Sequence, residues 1–247
     1  MRVRRVVTTR HGGASAPPYD SFNLGAHVGD CPEAVAANRE RLATGIGLPR
    51  QRMVWMEQVH GRTVSVVDGP QLQPVPACDA LVTTQSQLAV AALVADCVPV
   101  LLADPVGNVV AAVHAGRLGA RTGVLLAALE TMRRLGARIE RVEALLGPSA
   151  CGQCYEVPEQ MQADVDARLP GSACRTRQGT AGLDLRAGLW NQLAAAGVAK
   201  VGVDPRCTIE DAALYSYRRD GVTGRLAAVT WFEPSDDRPA ARRNLGR

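Results

Sequence analysis

Aromatic side chains are scarce in this 247-residue chain: two Phe, three Trp and four Tyr make up 4% of it. That leaves few platforms on which nucleobases could stack. Charge of one sign is nowhere concentrated along the body of the chain, where 28 Lys and Arg are interspersed with 24 Asp and Glu for a net charge of +4. The basic groupings lie at the two ends, Arg2, Arg4 and Arg5 and then Arg238, Arg242, Arg243 and Arg247. Runs of this kind are usually solvated faces or tails, so no nucleic-acid partner is expected. Long apolar runs are missing too: the longest, from Leu88, is cut at Asp96, well short of the ~20 residues a membrane helix needs. The first ten residues, MRVRRVVTTR, carry charge without an apolar segment of signal-peptide length. A cytoplasmic protein with no membrane partner is the expectation.

With 47% apolar side chains, the chain can bury one large core. Seven cysteines, at 31, 78, 97, 151, 154, 174 and 207, form an odd and irregular set in a chain too large to need disulfide staples. Cys151-Gly-Gln-Cys154 has the spacing of a redox pair, but it does not open a helix in a thioredoxin-like unit, so reduced thiols are the better reading.

Segments alternate in type without internal repeats. Arg2 to Thr9 predicts a strand, and 11–30 is a loop dense in Gly, Pro, Ser and Asn. Asp30 then looks like an N-cap, with Pro32 in the first turn and Glu33 as its capping-box partner. Met53 to Val67 is strand-like with Gln58, Val59, His60 and Gly61 inside it. Leu88 to Leu102 and Asn108 to Val113 are apolar runs that suit strands covered on both faces. Helical spacing recurs over Thr122–Leu135, Pro158–Leu169 and Leu185–Ala196. The order predicts one α/β (α+β) domain, mixed sheets covered by helices, over 1–234, followed by a polar, disordered tail over 235–247.

Only four histidines are present, and two of them, His60 and His114, interrupt or end apolar strands, as Cys97 does. Taken singly, each is more often a satisfied core residue than a ligand. Two imidazoles and one thiolate nevertheless make a suitable Zn²⁺ set, because a catalytic zinc takes three protein ligands and leaves a fourth position open. The separations, 60 to 97 and 97 to 114, are too long for a local finger, so such a site would have to be assembled by the fold.

TTRHGG, SFNLGAHVGD, NRERL, QVHG, ADCVPVLLADP, AAVHAG, LGPS, CYEV, DLR, CT and YSYRRD, in this order from Thr8 to Asp220, closely resemble the YfiH-like family, once labelled polyphenol oxidase or laccase-domain proteins. The resemblance spans nearly the whole chain, and the combination of QVHG, ADC and VHAG is highly specific. It implies a fold related to the catalytic domain of cytotoxic necrotising factor toxins. It implies zinc-dependent phosphorolysis of purine nucleosides (adenosine, inosine, guanosine, methylthioadenosine) with adenosine deamination, and a role in peptidoglycan editing. Purine nucleoside and phosphate are then the expected partners of a monomer.

Carried over by motif, the resemblance makes His60, Cys97 and His114 the metal and catalytic triad. Asp96 becomes an acid/base or an acceptor orienting a ligand imidazole, although a turn or cap carboxylate is as good a reading. Asn23, Gln58, Arg39, Arg218 and Arg219 become substrate or phosphate contacts, and Arg117, beside His114, is a further substrate-contact candidate. Two departures from the family pattern stand out. HAGWRG reads here His114-Ala-Gly-Arg117-Leu118-Gly119, replacing an aromatic wall by Arg117, and Gly-Pro-Cys-Cys reads Cys151-Gly-Gln-Cys154. Two other classes remain open at this point. One is a cysteine hydrolase with Cys97 as nucleophile and His114 as base, removing L-serine from a mis-built UDP-muramoyl precursor; the other is a non-enzymatic metal-dependent binding module. The laccase label fits poorly, since multicopper chemistry demands many more than four histidines.

Overall fold

Residues 1–234 are described by a computed structural model; the tail expected over 235–247 lies outside the described residues. The run that begins at Leu88 explains the architecture. Its first half is strand β5 (Ala89–Val94) and its second half β6 (Val98–Asp104), both wholly buried, and the two belong to different sheets. The three residues between them, Ala95, Asp96 and Cys97, form the crossing. The expected continuous strand is therefore corrected to two strands, with the acid and the thiol in the turn. Asp96 adopts φ +85° there, a left-handed conformation that Asp tolerates better than most side chains.

One sheet has four strands: β1 (Arg2–Val7), β12 (Leu226–Glu233), β5 and the two-residue β2 (Met53–Val54), in that order, with β12 antiparallel to both its neighbours and β2 parallel to β5. The other has six, in the order β11 (Lys200–Val203), β8 (Glu143–Leu146), β6, β7 (Val109–Ala115), β4 (Ala80–Thr83) and β3 (Val64–Val66), with parallel pairs at its two edges and antiparallel pairs between. A short hairpin joins β9 (Ala173–Arg175) to β10 (Ala181–Leu183).

The two sheets stack through a shared layer that includes Leu81, Val90, Leu101, Val110, Ala112, Ala228 and Phe232. Strands buried on both faces read as apolar runs rather than alternating ones, as β5, β6 and β7 do. Helix α1 (Pro32–Gly45) covers the outside of the four-stranded sheet, Leu42 packing with Met53, Leu93 and Trp231. The outside of the six-stranded sheet is covered by α3 (Val124–Arg134), α4 (Glu159–Asp166) and α5 (Leu185–Ala195), with Leu125, Met132, Val165 and Leu189 against Val82, Val100 and Val113. The result is one mixed α/β domain of helix, sheet, sheet and helix layers, and no helix among the described residues is long and apolar enough to cross a membrane.

Two expected elements differ and one helix is added. The helix foreseen over Thr122–Leu135 is α3 (Val124–Arg134), and a further short helix, α2 (Arg117–Thr122), precedes it and ends at Gly123, φ +87°. The N-cap of α1 is Cys31 without a side-chain cap, because the Asp30 carboxylate is drawn into a buried network, accepting from Ser15 Oγ at 2.6 Å and Asn23 Nδ2 at 2.8 Å. Between β2 and β3 the chain leaves the sheet, so His60 stands on an exposed loop and not inside a strand.

Candidate functional site

His60, Cys97 and His114 reach one point from three places: the loop before β3, the crossing between the sheets, and the end of β7. Their donor atoms lie within 4.8 Å of one another, and Cys97 Sγ is 3.9 Å from His60 Nε2. A tetrahedral zinc with ordinary bond lengths sets two nitrogens and a sulfur roughly 3.3 to 3.6 Å apart, so the three would close by about an ångström on an ion. The imidazoles meet edge to face, with centroids 4.8 Å apart and planes at 81°.

The group that organises them is Asp79, immediately before β4 and wholly buried. Its Oδ1 lies 2.8 Å from His114 Nδ1 and accepts from His60 N at 2.9 Å, while Oδ2 accepts from Gly61 N at 2.6 Å and Val59 N at 3.3 Å. One carboxylate thus fixes the ring of His114 and ties down the loop on which His60 sits at φ +59°. With Nδ1 engaged by Asp79, the second nitrogen of His114 is the one free to meet an ion or the thiol.

The loop is held from its other side by Gln58, whose amide donates to Leu93 O at 2.8 Å and accepts from Leu93 N at 2.7 Å. Asp96 does not address an imidazole: Oδ1 accepts from Thr208 Oγ1 at 2.6 Å and Oδ2 from Arg218 N at 2.7 Å. The orienting acceptor foreseen there is therefore corrected to Asp79, and Asp96 instead anchors the start of α6 (Tyr217–Asp220) beside the site.

Burial works against charge at Cys97 and His114, but each favours the charged form of the other. The neighbouring imidazoles of His114 and His60 bring the Cys97 thiol down to about 6. Burial likewise opposes protonation of His114, yet Cys97 and Asp79 raise it to about 9. The metal-free pair is thus a thiolate beside an imidazolium near neutrality. Metal-free protein should therefore lose Cys97 to iodoacetamide with a midpoint near pH 6, the thiolate forming as pH rises through that value. Peptide mass spectrometry across pH checks this, and a midpoint at the ordinary thiol value would contradict it.

Gly116 closes the floor of the site. A Cβ there would meet His60 Cδ2 at 2.9 Å, Cys97 Sγ at 3.0 Å and His114 Cε1 at 3.6 Å. Gly116→Ala should spread the donors and weaken metal binding by about tenfold or more, with a thermal midpoint shifted by only a few degrees. Competition with a chromogenic chelator reads the affinity, and unchanged affinity would show that the three donors do not act as a set.

The three side chains open onto a cavity of about 410 Å³, a size suited to a small-molecule ligand. Leu93, Val94, Leu118 and Leu185 supply apolar wall, Tyr155 and Tyr217 supply aromatic surface, and Gln58, Asp96, Arg117 and Arg218 also line it. The guanidinium of Arg218 lies over the Tyr155 ring at 5.0 Å. His27 and Arg225 are lining residues that the sequence reading does not single out.

Three foreseen contacts do not line the cavity. Asn23, fully buried, is a knot: it bonds Gly25 and Asp30 and accepts from Arg225 N at 2.8 Å, holding the loop of His27 against Arg225. Arg39 donates to Leu24 O at 3.0 Å and stacks over Trp55 at 4.3 Å. The guanidinium of Arg219 is spent on the carbonyls of Thr208, Ile209, Asp211 and Leu214 and on Asp220. The cavity's cationic lining is therefore Arg117, Arg218 and Arg225.

Residues 4–233 match the family model described as multi-copper polyphenol oxidoreductase laccase. A purine nucleoside phosphorylase of Corynebacterium glutamicum is 58% identical over 93% of this chain and 94% of its own. One of Mycobacterium tuberculosis is 56% identical over 94% and 93%. Among solved structures, the hypothetical protein YfiH of Bacillus licheniformis superposes with a TM-score of 0.87 at 29% identity, covering 94% of this chain and 93% of that one. YlmD of Geobacillus stearothermophilus gives 0.86 at 33%, covering 94% and 92%. With its motifs, its stacked mixed sheets and these relatives in agreement, the chain belongs to the YfiH-like, laccase-domain family.

Proposed function

We propose that this chain is a zinc-dependent purine nucleoside phosphorylase that also deaminates adenosine. The observation that carries the reading is the convergence of His60, Cys97 and His114 on a cavity lined by Arg117, Arg218 and Arg225. The relatives named purine nucleoside phosphorylase support the same activity. The donor set suits zinc: a thiolate and two imidazoles, one of them oriented by a buried carboxylate. Four histidines in the whole chain do not suit the several copper centres in the family's description.

When bound, zinc would supply a Lewis acid able to polarise phosphate or water at its open position. The chain's own residues do the rest. Arg218 and Arg225 present positive charge to a phosphate, and Arg117 adds a third guanidinium. Burial, and then the nearby Arg225 and Arg39, lower the pKa of His27, so it is a neutral hydrogen-bonding group at the mouth. Tyr155, Tyr217 and the leucines give a purine aromatic and apolar surface. In phosphorolysis a phosphate oxygen bonds to C1′ as the C1′–N9 bond breaks, the base leaving with a proton. In deamination adenosine and water give inosine and ammonia.

Adenosine, inosine, guanosine and methylthioadenosine, each with and without phosphate, test the reading. Free base should appear with ribose 1-phosphate (its methylthio analogue from methylthioadenosine) only when phosphate is present, and adenosine alone should yield inosine. Absence of phosphate-dependent base release would overturn it.

Arg218→Ala and Arg225→Ala should each raise the phosphate KM by about 30- to 150-fold, equivalent to about 2 to 3 kcal/mol, with metal content unchanged. Arg219→Ala should act differently, lowering the thermal midpoint because five acceptors lose their donor. Phosphate titrations of the three variants decide, and an unchanged KM in both cavity variants would remove them from the anion site.

A second reading is favoured by one observation, the alignment of Cys97, His114 and Asp79 in the order nucleophile, base and orienting carboxylate. In that case the chain hydrolyses an amide such as the L-serine bond of a mis-built UDP-muramoyl precursor. Such an enzyme would keep its turnover after zinc removal and lose it on alkylation of Cys97.

A further inference from the structure

A second group of metal-binding side chains lies away from the triad. Cys151 and Cys154 come from the turn after β8, and Cys207 and Glu210 from the turn after β11; their ligand atoms all lie within 4.8 Å of one another. From these four side chains we infer a second, closed metal site, Cys₃Glu, for a thiophilic divalent cation of the zinc class.

The local geometry favours a cation over a chance meeting of thiols. Cys-x₂-Cys is the spacing with which one tight turn delivers two sulfurs to a tetrahedral ion. Here the turn is already made, with Cys154 N and Tyr155 N both donating to Cys151 O at 3.0 and 2.9 Å. The partner turn is also made: Glu210 N and Asp211 N donate to Cys207 O at 3.2 and 2.9 Å. A backbone N–H, that of Cys151, points at Cys207 Sγ at 3.4 Å, a contact that stabilises a thiolate. Tetrahedral ligand sulfurs on zinc lie roughly 3.8 Å apart, so little movement closes the set.

Three thiolates and a carboxylate carry two negative charges beyond those of the cation. Arg177, ion-paired with Glu210, offsets one of them and leaves Glu210 Oε2, 3.8 Å from Cys151 Sγ, to face the sulfurs. Gly152 is the only residue type that fits its place in the turn. A Cβ there would stand 2.6 Å from Cys174 Sγ and 2.8 Å from Asp184 Cβ.

Four protein ligands leave no open position, so the role is structural. The cation would pin the turn after β8, which supplies Ala150 and Tyr155 to the cavity, to the turn that carries Thr208 outside it. Thr208 in turn donates to Asp96, next to Cys97. The second site thus stiffens the wall of the first without touching what binds there.

Titration of reduced, metal-stripped protein with Co²⁺ under argon tests this. Wild type should take two equivalents. Cys97→Ala should take one, with thiolate-to-cobalt charge-transfer intensity of a three-sulfur site, and Cys97→Ala/Cys154→Ser should bind that equivalent at least tenfold more weakly. Should the double variant fail to fold, Cys97→Ala alone suffices: zinc should protect Cys151, Cys154 and Cys207 from iodoacetamide in peptide mass spectra. Uptake of no cobalt by Cys97→Ala, equal alkylation with and without zinc, or a Cys151–Cys154 disulfide that zinc cannot displace under reductant would each overturn the inference. Wild type that takes only one equivalent, with the three-sulfur spectrum and still bound in Cys97→Ala, would count against a metal at the triad and leave this inference standing.

Discussion

Replacing Cys97 by alanine should abolish both metal binding at the triad and turnover, the latter by roughly a thousandfold or more, since several kcal/mol of charge stabilisation would vanish with the cation. Cys97 lies in the three-residue crossing between sheets, with its Sγ 3.9 Å from His60 Nε2 and both imidazoles beside it. Its removal takes away the one anionic donor, leaving two imidazoles that a divalent ion binds far less tightly. The fold should survive, because Cys97 is only partly buried and packs at the edge of the small cluster of Val94, Leu214, Tyr215 and Leu226. Circular dichroism and metal analysis of the variant separate the outcomes. A folded Cys97→Ala protein that retains the triad metal would show that the thiolate is not a ligand.

Asp79→Asn should have the next largest effect, and on two properties at once. The carboxylate receives His114 and three backbone N–H groups while fully buried. An amide of the same shape turns two donors of its own toward these donors. Loss of the second partner of a metal-ligating histidine costs about 10- to 100-fold in affinity. Breaking the buried network costs about 3 kcal/mol of stability, a fall of roughly 6 to 12 °C in thermal midpoint for a domain of this size.

Burial alone would raise the Asp79 pKa, but the bonds from His114, Gly61 and Val59 hold it below the usual carboxylate value. A depressed folded pKa means that its stabilisation is present above the ordinary carboxylate pKa and is lost as pH falls through the folded one. The acid limb of the wild-type stability curve should thus flatten in Asp79→Asn. Melting curves from neutral to acid pH read this, and parallel curves would place the acid sensitivity elsewhere.

Much of this arrangement is legible in the sequence because apolar runs report strands buried on both faces. β1, β7, α1, α4 and α5 stand close to where periodicity and caps put them. What periodicity cannot report is a change of sheet. The run from Leu88 continues through the crossing because β5 and β6 are equally buried, and the break shows only as Ala-Asp-Cys in the middle.

Asp79 is unmarked in the sequence for a similar reason: a single acid before a short apolar strand looks like a turn residue until the fold places His60, Gly61 and His114 around it. It shares one signal with Cys97 and His114, a polar group abutting a strand with no polar face. Arg225 and His27 escaped because nothing in the sequence marks a side chain that enters a cavity from a loop. The arginine motifs misled in the opposite sense. Arg39 and Arg219 belong to family motifs, yet neither lines the cavity, and both bond backbone carbonyls that hold loops in place. The doublet Arg218-Arg219 divides the two roles between neighbours, one lining the cavity and one holding the turn.

The most direct test of the central claim is a single assay on the intact protein: release of free base from inosine, followed with zinc bound and after chelation, in the presence and absence of phosphate. The account predicts base release and equimolar ribose 1-phosphate only when both zinc and phosphate are present, with activity restored by re-adding zinc. Base release that persists after the triad metal is shown to be gone, or that needs no phosphate, would contradict it.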